Sequence, residues 1–426
     1  MRSFRNILAL SGAVTLAACG GDTGPQTIGG VAPPAGPSGG TPTPTSTHSF
    51  AAPTDPKTYE GIGAVQHYGY STDSNKSGQG NQLYAGDATT PRDGGVTVTY
   101  NPRDAIFEVT INRPQGQVST SAMRFQDPMH RTAFGGALEP QRGVPNFDPA
   151  RQIQYLQSGS KTGSALTPAS PYYQLVNQQG EVLTTAANSD YPVMTDQSSS
   201  TTQTLFYQKF GTTTKYVTYA GFVRTNVSGA LIQPTDPSES PFLRETYGID
   251  RAAFVFGERT ANSAVPTSGS GSYTGDMIAT MVVNVDPASR ADATFPSYLQ
   301  WIEGSAKTTV NFATLGVTQE LTGKVITPAA LDAFTNGKFA VGVGTPFFAA
   351  GHATIDMVSR GGFTGQFDSA CFAMSCNGAN ALVIAGSSLD GTFFGPAAEE
   401  IGGGFRIVGG TPDQRIDILG AYIGKK

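Results

Sequence analysis

Charge is scarce in this chain. Lys, Arg, Asp and Glu make up 14% of its 426 residues, against about 25% in ordinary domains. The net charge of −5 supplies no basic surface, so neither nucleic acid nor an anionic membrane surface is an expected partner. Catalytic motifs are lacking as well: the sequence holds no Gly-x-Ser-x-Gly elbow, Walker loop or His-Glu-x-x-His. Ser158-Gly159-Ser160-Lys161 and Lys161-Thr162-Gly163 imitate two β-lactamase motifs but share one lysine, where those enzymes need two on separate elements. That segment reads as a loop, the chain reads as a non-enzyme, and no cofactor is expected. What is plentiful is glycine, 53 residues against a usual share of about 7%, together with Ser, Thr and Asn. Such a composition suits short strands and tight turns rather than helices.

Cysteine is limited to three residues, and their placement is informative. Arg2 and Arg5 precede an apolar run from Ile7 to Ala18, well short of the ~20 residues of a membrane-spanning helix. The run ends in Leu16-Ala17-Ala18-Cys19, which resembles the lipobox of bacterial lipoprotein signals. Cleavage before Cys19 is expected, with lipid on its thiol and acylation of the new amine, and two or three chains hold a protein stably on a bilayer. Gly20 rather than Asp follows, resembling an outer-membrane destination in lipoproteins of the enterobacterial type. Cys371 and Cys376 are the remaining pair. In an oxidising compartment their spacing suits a disulfide across the base of a short hairpin loop.

The chain divides by pattern. Residues 1–18 read as signal peptide, and 19–57 as a lipidated, disordered tether rich in Gly, Pro, Thr and Ser. Residues 58–262 form an antiparallel β domain. Val96, Val98 and Tyr100 alternate with Thr97 and Thr99 before the Asn101-Pro102-Arg103-Asp104 turn and a second strand through Phe107, Val109 and Ile111. Further strands are expected at 204–210, 215–224 and 252–256, with 186–202 as loop. In 263–426 the strands come faster. Met277, Ala279, Met281, Val283 and Val285 share one face, and later strands run through Val310, Leu321, Val341, Ile355, Ile384, Phe405 and Ile418. Eight closely spaced antiparallel strands predict a closed barrel. One short helix is expected, capped by Thr327, begun by Pro328 and ended by Asn336-Gly337. The phrases ending in Gly275, Gly323, Gly365 and Gly395 read as strand ends, with glycine at a turn or bulge. The fold expected is therefore all-β: a tether, an antiparallel β domain, then an eight-stranded antiparallel barrel.

The most specific stretch runs from Gly391 to Phe405, with Phe393, Phe394, Gly395, Pro396, Ala398, Glu400, Gly402 and Gly403 at its fixed positions. It resembles the late-barrel phrase of transferrin-binding protein B and its single-lobe relatives among surface lipoproteins. The approach through Phe254 to Gly257 and Pro266 to Gly269 also looks like the way into that barrel. Physically, Phe393 points inward, Gly395-Pro396 breaks the strand, and Ala397 to Glu400 make a helical turn ended by Gly402 and Gly403. The chain then re-enters the sheet at Phe405. The phrase is thus a fold signature, and the adjacent Glu399 and Glu400 make a poor acid/base pair. The resemblance implies a handle-like first domain and an outer-membrane, cell-surface lipoprotein held by its lipid alone. It also implies capture of an iron- or haem-carrying protein and delivery to a TonB-dependent transporter, through loops that share no motif. Two alternatives stand beside this: a haem or small-molecule binder using His67 and His130, and an adhesive coat protein. His352 is expected to face solvent.

Overall fold

The structure, a computed structural model, describes residues 55–75, 94–102, 106–111, 121–126, 147–162, 196–209 and 211–285, then 297–330, 341–358, 361–376, 381–411 and 414–426. Short pieces at 91, 144–145, 175–176 and 182–184 complete it. Cys19, the signal segment, His130 and residues 331–340 of the expected helix lie outside the described residues.

The first part contains β1 (Lys57–Glu60), β2 (Ile62–Asp73), β3 (Val96–Asn101), β4 (Ile106–Ile111), β5 (Ser121–Gln126), β6 (Ile153–Thr162), β7 (Leu175–Val176), β8 (Val182–Thr184), β9 (Ser199–Gln208), β10 (Val217–Ile232) and β11 (Phe242–Gly257). They form a four-stranded sheet β1-β3-β4-β5, a five-stranded sheet β2-β11-β10-β9-β6 and the pair β7-β8. The second part is a closed antiparallel barrel of β12 (Ser270–Val285), β13 (Ser297–Asn311), β14 (Gly316–Ala330), β15 (Pro346–Asp356), β16 (Gly362–Cys371), β17 (Val383–Phe394), β18 (Glu400–Thr411) and β19 (Gln414–Lys425). Closure comes from pairing of β12 with β19, which leaves the barrel no open edge.

Three apolar layers hold this together. One lies between the four-stranded sheet and the five-stranded sheet, where Val98, Phe107 and Val109 meet Phe222, Ala252 and Phe254. The second lies between the other face of the five-stranded sheet and the outer wall of the barrel. There Val223, Ala253 and Val255 meet Ile278, Trp301 and Leu419. The third fills the barrel. The central strand β11 is thus buried on both faces, which explains its unbroken apolar run Ala252 to Phe256. In β12 the alternation separates two environments instead: Met277, Ala279 and Met281 enter the barrel, while Ile278 faces the sheet.

Several expectations are corrected. Thr327 and Pro328 continue β14 rather than start a helix. Ladder partners jump from Trp301↔Ile326 to Leu299↔Ala330, so Pro328 sits at an irregularity of the ladder, where a residue without an N–H is tolerated. Val341 and Val343 lie in a turn before β15. Ser158 to Lys161 lie in β6, not a loop, and β9 begins at Ser199, inside the stretch read as loop. Gly275, Gly323 and Gly365 are within strands rather than at their ends. A Cβ there would fall 2.3, 2.6 and 2.0 Å from carbonyl oxygens of the adjacent strands. The short ring 371–376 is present as read, with Cys371 bonded to Cys376 and their Cα atoms 5.4 Å apart.

Candidate binding surface and the joint that orients it

The barrel interior is packed solid. Phe393 lies 5.5 Å from Phe312 and 6.0 Å from Phe363 between ring centroids, and Phe367 lies 5.7 Å from Phe405. Interior side chains such as Met277, Leu321, Phe393 and Phe405 are fully buried, leaving binding to the outer surface and the loops.

The two ends of the barrel differ. At one end β13-β14, β15-β16 and β17-β18 are joined by short connections, and the last packs against the five-stranded sheet. At the other end three connections are longer, 286–296, 331–345 and 372–382, while β18 and β19 are joined through 412–413 alone. Val343, Met374 and Val383 stand exposed there, Met374 on the ring closed by Cys371–Cys376. Beside this rim a cleft of about 380 Å³ opens between the two parts, lined by Phe147, Ile326 and Val343 together with Asp148, Glu303 and Lys324. Arg151 holds the lining residue Glu303 by pairing with it at 3.2 Å, and donates to Asp276 at 2.8 Å and the Gly304 carbonyl at 2.8 Å. The side chains here offer apolar contact framed by paired charges, the make-up of a protein-binding patch.

The disulfide should restrain this rim more than the fold. Replacing both cysteines by serine is expected to cost about 2 kcal/mol, the chain-entropy value for so small a ring, read as a shift in urea midpoint with unchanged slope.

The Gly391–Phe405 phrase builds the joint at the opposite end. Phe393 enters the barrel core while Phe394 turns out into the interlayer core. Gly395 has φ +86°, a conformation suited to glycine. Its N–H donates to the Glu258 carbonyl at 2.9 Å, and its own carbonyl accepts from the Thr260 hydroxyl at 2.6 Å. Pro396 to Ala398 form a turn with Ala398 at φ +58°, not the helical turn expected. The sheet resumes at Glu400 rather than Phe405, and Gly402 and Gly403 lie inside β18. Glu399 and Glu400 diverge as read. Glu399 accepts from the Ala397 N–H at 2.8 Å. Glu400, buried, reaches across to the N–H groups of Lys215, Tyr216 at 2.7 Å and Val217 at 3.1 Å. Burial raises its pKa against the opposing pull of those three bonds and of Lys425. In the sequence Glu400 is one position of the signature; its role as a clamp between the two parts needs the approach of residues 215–217, which spacing does not reveal.

The two described histidines each meet a carboxylate. His67 bonds through Nδ1 to Asp250 at 2.8 Å, and Asp250 also accepts from Arg224 Nε at 2.7 Å. His352 is exposed and meets Asp368 at 2.8 Å. Among the described residues no group of three or more His, Cys, Asp or Glu is arranged to hold a metal. No helix among them is long and apolar enough to cross a membrane.

Residues 265–426 match the family described as C-lobe and N-lobe beta barrels of Tf-binding protein B. No curated protein matches at a significant level. Among solved structures, intact Ap-TbpB with its N and C lobes is similar at 13% identity, covering 87% of this chain and 77% of that one, with a TM-score of 0.27. A single-substitution variant of Transferrin Binding Protein B from Haemophilus parasuis Hp5 gives 13%, 87%, 76% and 0.27. The isotype 1 protein from serogroup B Neisseria meningitidis gives 11%, 88%, 77% and 0.22. Superpositions this loose establish neither a shared site nor a shared partner. Residues 265–426, which close into the eight-stranded barrel, are thus similar to the barrels of transferrin-binding protein B.

Proposed function

We propose that this chain is a lipid-anchored receptor at the outer-membrane surface that captures an iron- or haem-carrying protein and passes its cargo to a TonB-dependent transporter. In this reading residues 1–18 are removed, Cys19 carries the lipid, and 19–57 form the tether. Residues 58–262 serve as a handle-like domain and 263–426 as the barrel. One observation carries the reading: a barrel similar to those of a family named for binding transferrin has a filled interior, which leaves recognition to its rim. Val343, Met374, Val383 and the adjoining cleft supply a surface of the right kind.

The test is a biosensor titration of the full-length protein against iron-loaded transferrin, haemoglobin and other iron- or haem-carrying proteins. Saturable binding to one of them is expected. Met374→Asp and Val383→Asp should each weaken it about tenfold or more, equivalent to about 1.4 kcal/mol, because each introduces a charge to be desolvated in an apolar contact. A protein that binds none of these carriers rejects the reading. Binding that ignores both substitutions moves the site off this rim.

A further inference from the structure

The polar groups buried between the five-stranded sheet and the barrel wall are not all served. Thr204, Val223, Arg251 and Gln66 are successive Cα partners across β9, β10, β11 and β2, so they form one row on the face that meets the barrel. Opposite stand Thr280 and Trp301, themselves partners between β12 and β13. All six are at most 1% exposed. The Arg251 guanidinium lies 4.3 Å from the Trp301 ring centroid and donates through Nη2 to the Gln300 carbonyl at 3.3 Å. Among the described residues its Nε and Nη1 meet no hydrogen-bonding group, nor do Gln66 Oε1 and the hydroxyls of Thr204 and Thr280. Gln66 Nε2 is occupied by the Asp417 carbonyl at 3.3 Å.

The nearby acids are committed elsewhere. Asp250 points to the opposite face, where it binds His67 and Arg224. The Asp417 carboxylate pairs with Arg406 at 2.7 Å. Among the described residues no carboxylate is paired with Arg251. Burial without a counter-charge pushes the guanidinium down to about 9, which still leaves a cation at neutral pH. A buried charge of this kind is retained only when something compensates it, and the Trp301 ring face does so in part. Donor hydrogens in the row, three N–H and two O–H, outnumber the acceptor atoms, one amide oxygen and the two hydroxyl oxygens. An acceptor-only species carrying one negative charge answers both imbalances, and the enclosure requires it to be small.

We infer that this seam is a buried binding site for a small inorganic monoanion of the halide class, held by Arg251 Nε–H and Nη1–H beside Trp301. The hydroxyls of Thr204 and Thr280 stand in the same seam as further donors. The bound anion joins the five-stranded sheet to the barrel.

Trp301 is the chain's only tryptophan and has no exposure, so quenchers in bulk solvent do not reach it. Bromide exchanged for gluconate at constant ionic strength should therefore quench the fluorescence of the intact protein saturably, and chloride should restore it by competition. Arg251→Met, checked for its fold by circular dichroism, should abolish the effect. Where that variant does not fold, the chloride competition and the anomalous signal of bromide in wild-type crystals decide. A bromide peak within hydrogen-bond reach of Arg251 supports the site. Quenching that is absent, unsaturable or equal in the variant, or a seam holding only water, overturns it.

Discussion

Trp301→Ala is expected to lower stability by about 4 kcal/mol, within the range for aromatic truncations in cores. Trp301 is fully buried between the five-stranded sheet and the barrel wall. Phe206 meets its ring edge-on at 5.3 Å between centroids, a favourable arrangement of aromatic quadrupoles. Removing the indole opens a large cavity in the one apolar layer that joins the two parts. It also strips Arg251 of the ring that faces its guanidinium at 4.3 Å, so an unsoftened buried cation adds to the cavity cost. Because the barrel closes on itself through β12 and β19, the loss should fall on the attachment of the sheet. Urea unfolding followed by far-ultraviolet circular dichroism should separate into two transitions, the barrel melting last. Trp301→Phe keeps most of the volume and should cost less than half as much. A single transition displaced by under 1 kcal/mol would place the coupling elsewhere.

The barrel was legible because each strand separates two environments. Met277, Ala279 and Met281 enter one core while Ile278 enters another, so period-two alternation survives in the sequence. The first part was less legible for the opposite reason. β10 and β11 are covered on both faces, and their true extents, Val217–Ile232 and Phe242–Gly257, run beyond the short apolar runs that marked them. False signals have identifiable causes as well. Val341 and Val343 alternate only because Gly342 and Gly344 lie between and after them, and Gly344 at φ +83° belongs to a turn. Thr327-Pro328 imitates a helix start, yet it lies at an irregularity of the ladder. The interlayer contacts could not be read at all. The partners of Glu400 are more than 180 positions away, and the row around Arg251 exists only once β2, β9, β10 and β11 have been set in register. Long-range packing of this kind leaves no periodic trace.

Glu400→Ala is expected to cost about 4 kcal/mol, since it leaves the N–H groups of Lys215, Tyr216 and Val217 without their acceptor in a buried joint, at about 1–3 kcal/mol for each unserved donor. Glu400→Gln separates charge from hydrogen bonding. Its one carbonyl oxygen can still accept from Tyr216 and Val217, while its NH2 is set against the Lys215 N–H, so a loss of about 2 kcal/mol is expected. The sign of the pH effect follows from burial. Desolvation places the folded pKa of Glu400 above its ordinary value of 4.5, so between the two values the folded chain binds more of this proton than the unfolded chain does. Stability contributed by Glu400 therefore rises as pH falls through the folded pKa, and declines on the way back to neutrality. The informative quantity is thus the difference in unfolding free energy between wild type and Glu400→Gln. It should grow as pH is lowered from neutral towards 4.5 and flatten below it. A difference that shrinks over that interval would mean the three N–H bonds outweigh desolvation, making Glu400 a net electrostatic gain rather than a costly clamp kept because the donors it serves are buried with it.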